Sequence, residues 1–356
     1  MTQLSSREKK LLVMRCISAF ALFAIFGMAN NNLSEINNSI LAFGRSAIIL
    51  VPIALAIFGA ASMGVSFIAM TIGTLLIFLD LGELSDAVAA GSFAYGTATS
   101  GYLMRSVAST TKIGSAKNRV ALNVGSSIAG CALMLPVSAY NYAILVVLIL
   151  SIGMTIIELS RPSLTEEDIR KNSKILFKPS IAWILCGISI GVLNFGLFSV
   201  LPQFLILNTG KIPLWYGFMV IINSLTIVLI QVKFVKLVDK YINNTKLFTV
   251  AIIFLGFVVM AFPSLFLAQY FLGALIWVVL ITISECGFSY LDYYAYQDDM
   301  MLTKELSVGL GAAITVYISR ACEYPISFIL VGLVGALTIL GYFILSELKL
   351  RRRRVA

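Results

Sequence analysis

Apolar runs of about twenty residues, the length a helix needs to cross a bilayer, follow one another along almost the whole chain. In the second half, six separate cleanly, at roughly 180–206, 215–236, 247–267, 270–291, 308–326 and 328–347. In the first half, runs near 11–31, 120–139 and 141–159 are equally plain. The stretch 44–104 divides either into three helices (44–62, 64–81 and 84–104) or into two, with 64–100 merged. The first division predicts twelve spans and the second eleven.

Charge favours twelve. Of the 26 Lys and Arg residues, 22 fall at the N-terminus, in 105–119, in 160–179, in 233–246, at Lys304 and in the tail from Lys349. Basic clusters between alternate pairs of apolar runs are the positive-inside pattern, with both termini cytoplasmic. The connections near Tyr140, Ser264 and Pro325 carry no basic residue between helices. An N-terminus and a 105–119 loop on one side require an even number of spans between them. Arg15, four residues into the first span, reads as a side chain snorkelling to the cytoplasmic surface. The domain reading is therefore an N-terminal helical bundle over 1–159, a charged cytoplasmic linker over 160–179, a C-terminal bundle over 180–348 and a basic tail over 349–356. Two six-helix bundles of this outline suggest a duplicated, pseudo-two-fold all-α polytopic membrane protein.

Composition agrees and excludes several chemistries. The 356 residues are 59% hydrophobic and 12% charged, with a mean hydropathy of +0.96, where a soluble domain carries about a quarter charged residues. The first run is too long for a signal-peptide core and reads as a retained span. Histidine is absent, which removes imidazole metal ligands, proton relays and histidine-based triads. The five cysteines lie scattered in apolar segments without CxxC spacing, so neither disulfides nor zinc are expected. The net charge of +9 is accounted for by membrane topology, so a nucleic-acid partner is not implied. No P-loop sequence is present, and no cofactor is expected.

Several segments resemble the major facilitator superfamily, most strongly from about residue 180 onward. "WYGFMVIINSLTIVLIQ" followed by "KFVKLVDKY" resembles that family's eighth helix and the loop after it, "TISECGFSY" its tenth helix as found in bacterial exporters, and "VLNFGLFSVLPQFL" its seventh. The resemblance implies that Asp239 and Lys240 close a cytoplasmic gate. The family's G-x-x-x-D-R-x-G-R loop has only "GAASMG" (59–64) as its counterpart, without aspartate or arginine.

Carboxylates inside apolar runs cost several kcal/mol and mark sites by default. Glu285 follows fifteen almost wholly apolar residues, and Asp292, seven residues on, shares its helical face with Ser289 and Tyr296. Arg320 and Glu323 form an i, i+3 pair that either neutralises itself or turns Arg320 into the cavity. Glu83, with Asp80 and Asp86, either begins a helix, where acids suit the N-terminal dipole, or matches Glu285 across the repeat. Asn194 and Asn223 are intramembrane amides that either cross-link helices or meet a ligand.

The expected function is secondary transport by alternating access. A small amphipathic or weakly cationic substrate would be exported in exchange for protons or another coupling ion, with Glu285 as the carrier. The expected setting is a bacterial inner membrane, and the expected state a monomer in the lipid bilayer. The alternatives are a superfamily member that binds a partner without transporting and a membrane-embedded enzyme.

Overall fold

In the computed structural model, residues 5–32, 44–173, 179–210, 213, 215–262 and 271–355 are described. They are helical nearly throughout, with no strand among them. Before the linker come α1 (Ser6–Asn32), α2 (Val51–Phe58, entered through a 3-10 segment Gly44–Leu50), α3 (Ser62–Leu79), α4 (Glu83–Ala108), α5 (Lys112–Leu133) and α6 (Tyr140–Ser160). The linker contributes α7 (Glu166–Ser173). After it follow α8 (Ile181–Phe195), α9 (Leu201–Thr209), α10 (Trp215–Tyr241), α11 (Thr245–Ala261), α12 (Phe271–Glu285), α13 (Phe288–Gln297), α14 (Met301–Ala321) and α15 (Ile326–Val355). Among the described residues seven helical runs are long and apolar enough to cross a membrane, or eight if the pair bent by 47° at Gly196–Val200 is one span. The chain is a multi-pass integral membrane protein.

Turn chemistry sets the breaks. A single helix over 64–100 does not form: Asp80 takes a left-handed conformation, Gly82 has φ 100°, and α4 starts afresh with Glu83 and Asp86 in its first turn. At Gly59, φ 52° and ψ −126° reverse the chain. Ser62 Oγ then donates to the carbonyl of Ala54 at 3.1 Å. Eight residues of straight helix would separate those groups by about 12 Å, so the chain turns sharply between α2 and α3.

The basic residues expected in the 105–119 loop are not in a loop. Only 109–111 separate α4 from α5, and Arg105, Lys112, Lys117 and Arg119 are all helical. Lys304 likewise lies inside α14. The connection near Ser264 and residues 174–178 of the linker lie outside the described residues.

One end of the molecule gathers both termini and the linker. Arg7 on α1 pairs with Asp168 on α7, Lys10 with the buried Glu158 at 2.7 Å, and Ser106 with Asn172 at 2.7 Å. Lys171 sits over the Tyr296 ring on α13, and Lys246 meets Glu347 at 3.3 Å. At the opposite end α5 and α10 touch backbone to backbone: a Cβ on Gly217 would lie 2.6 Å from the Gly130 carbonyl. Small residues at such crossings let helices pack through van der Waals contact where lipid supplies no hydrophobic drive.

Candidate functional site

A cavity lies between the helices before the linker and those after it. Its wall draws on α1, α4 and α5 from one side and on α8, α10, α12 and α14 from the other. Its free volume is about 70 Å³, room for a few waters and well short of the few hundred Å³ of a ligand pocket. The structure is therefore a closed form of the site.

Glu285 ends α12, where Cys286 and Gly287 interrupt the span. Arg119 on α5 donates from Nη2 to Glu285 Oε2 at 3.0 Å. Asn223 on α10 donates to Glu285 Oε1 at 3.3 Å and to Thr282 Oγ1 at 2.7 Å. Arg119 is further held by the Phe288 ring, 4.5 Å from its centroid, and reaches Asn194 Oδ1 at 3.5 Å. Both charged side chains are 7% exposed. The two bundles are thus joined across the cavity by a desolvated ion pair. Removing one partner of such a pair costs about 3–5 kcal/mol, because the other charge stays buried.

Toward the end that carries the termini, a second charged layer closes the cavity. Arg105 on α4 pairs with Glu305 on α14 and lies 3.8 Å from Asp292 on α13. Lys304, with no exposed side-chain surface, bonds Asp292 and stands 2.8 Å from Glu305. Beyond this layer, at the rim, Lys112 Nζ meets Asp239 Oδ1 at 2.8 Å, and the Tyr290 hydroxyl donates to the same oxygen at 3.1 Å. In the other direction aromatic pairs narrow the space. Phe23 stacks on Phe198 with centroids 4.8 Å apart, and Phe26 meets Phe195 edge-on at 5.5 Å.

The structure therefore brings Glu285, Asn194 and Asn223 together on the cavity wall, with Asp292 in the layer below. Asp239 meets a cation across the bundles, whereas Lys240 lies over the Tyr241 ring instead. Three expected site residues stand elsewhere. Glu83 is exposed in the first turn of α4, the helix-dipole placement. Arg320 and Glu323 are exposed at and just past the end of α14, which stops at Ala321, and neither lines the cavity.

Sequence reasoning missed the cations. Arg15 does not snorkel: it is buried, lines the cavity, and its Nη1 rests 2.7 Å from where a Cβ on Gly101 would stand. Arg105, Arg119 and Lys304 were counted as loop charges. Helical period would have found them, since Arg119, Asn123 and Ser126 share one stripe and Thr97, Gly101 and Arg105 another.

No protein-family model and no curated protein matches the sequence. Solved structures do match. The human organic anion transporter MFSD10 (TETRAN) superposes with a TM-score of 0.65 over 96% of this chain and 100% of its own, at 12% identity. A bacterial homologue of the human drug peptide transporters PepT1 and PepT2 gives 0.66 over 99% and 100%, also at 12% identity. A POT family transporter in complex with 5-aminolevulinic acid gives 0.66 over 95% and 96%, again at 12%. The fold is that of the major facilitator transporters.

Proposed function

We propose that the protein is a secondary transporter that works by alternating access about the cavity between its bundles. The twelve-span reading goes with this proposal, and the sharp turn that brings Ser62 to Ala54 supports it. The observation that carries the function is the buried Arg119–Glu285 pair, which joins the two moving bodies at the substrate cavity. A carboxylate at this depth is stable either paired with a guanidinium or protonated. Moving the bundles apart exchanges one condition for the other, which couples proton uptake to opening. Phenylalanines at one end and charges at the other suit a small amphipathic substrate.

Flux in proteoliposomes tests the proposal. Wild-type protein should drive pH-gradient-dependent accumulation of its substrate, and Glu285→Gln should retain exchange while losing the response to the gradient. Normal gradient-driven flux in Glu285→Gln would remove Glu285 from the mechanism. Binding without any flux would leave a receptor in place of a transporter.

A further inference from the structure

Glu285 and Arg119 satisfy each other, so a substrate must take one of them. The two choices are not equivalent. A cation that captured Glu285 would strand Arg119 in a buried site, and a guanidinium cannot shed its charge there. An anion that captured Arg119 would strand Glu285, which becomes neutral by binding a proton. Only one partner of the pair can be discharged. We propose that the cavity takes a small organic anion on Arg119, and that a proton binds Glu285 in the same step and travels with it.

Other features agree. Among the described residues the cavity wall carries three arginines, Arg15, Arg105 and Arg119, against two carboxylates, Glu285 and Glu305. The Asp292 and Lys304 charges behind it cancel, so the site is short of one negative charge. Arg119 Nε is buried without a hydrogen-bond partner, an unused donor beside the one now given to Glu285. The phenylalanines on α1 and α8 offer an apolar wall to the rest of the anion.

The groups facing Glu285 bear on its protonation. From α5 comes Arg119, and Asn223 and Asn194 are amides from α10 and α8. Arg15, Arg105 and Glu305 share the cavity from α1, α4 and α14. The Cys286 thiol is adjacent in sequence, and α11 presents the aliphatic Ile252 and Ile253 to Gly287. Among the described residues, Arg119 is the one cation paired with the carboxylate. The proposal rests on the transporter reading and replaces the exchange expected from sequence with co-transport, because here substrate and proton assist each other.

Equilibrium binding to the full chain in nanodiscs separates these ideas without needing flux. The probes are matched trios, benzoate with benzamide and benzylamine, and hexanoate with hexanamide and hexylamine. The acids should bind in preference to both neutral and cationic partners, and more tightly in acidic buffer, by up to about tenfold per pH unit. Arg119→Gln should lose acid binding at least about tenfold, whereas Glu285→Gln should bind the acids more tightly and without pH dependence. A merely structural role for the pair would weaken binding in both variants. Preference for the amines, equal losses in the two variants, tighter binding at alkaline pH, or failure of every acid to bind would each overturn the inference. Acid binding with the expected variant pattern but no flux in liposomes would keep the anion site and defeat the transporter reading instead.

Discussion

The deep charged layer should decide how firmly the termini-bearing end stays shut. In Arg105→Gln the guanidinium facing Glu305 and Asp292 is lost, while Lys304 still bonds both carboxylates. The side chains concerned are 3–8% exposed in the closed form, so the loss falls near the lower limit for a broken buried pair, about 3 kcal/mol. Opening admits water to the same groups, so this cost weighs on the closed state alone. It corresponds to roughly a hundredfold shift toward opening at that end. The rim pair Lys112–Asp239 is 29% and 36% exposed; Lys112→Gln there should cost at most about 1 kcal/mol, or roughly fivefold. Distances between spin labels at Thr110→Cys and Lys236→Cys, both exposed positions, measure the populations in nanodiscs once the native cysteines are replaced. Adding Glu305→Gln to Arg105→Gln should recover part of the closed population, which separates a lost contact from misfolding. Equal opening by the rim and deep substitutions, or none by either, would refute the argument from burial.

At the opposite end, Gly217→Val should force α10 from the Gly130 carbonyl and hold that end apart, seen as faster labelling, from that side, of a cysteine introduced at the cavity-lining Ser126. Gly101→Ala brings a methyl to 2.7 Å from the Arg15 guanidinium; substrate affinity should fall while thermal stability changes little. Arg320→Ala, at an exposed position, should alter flux by less than about twofold and stability by no more than about 0.5 kcal/mol. Asn223→Ala removes the amide that joins Glu285 and Thr282 and should lower thermal stability by about 1 kcal/mol, read from the denaturation midpoint in nanodiscs.

Apolar block length made the helical architecture legible, and Glu285 was legible because it interrupts an apolar run. The positive-inside count put the termini and linker at one end, as they are here, but it was misleading about individual cations. It treats a basic residue near a helix end as facing water, whereas Arg105 and Arg119 turn inward along their helices. Arg320 and Glu323 misled in the opposite sense. Their run is less apolar than the one around Glu285, and Pro325 shortly past Ala321 is a local sign that the helix ends there. Pairings such as Arg119–Glu285, 166 residues apart, depend on which helix faces which across the cavity, and one sequence does not encode that in any local pattern.

The short helix α7 has a consequence for how the polypeptide can be divided. Arg7 and Ser106 hold it to the helices before it, and through Lys171 it lies against Tyr296 in the helices after it. A backbone nick placed after residue 178 would leave this buckle on the first fragment, still able to clasp the second. Two co-expressed fragments divided there should reassemble, whereas division before Glu166 should leave the first fragment without its fastening.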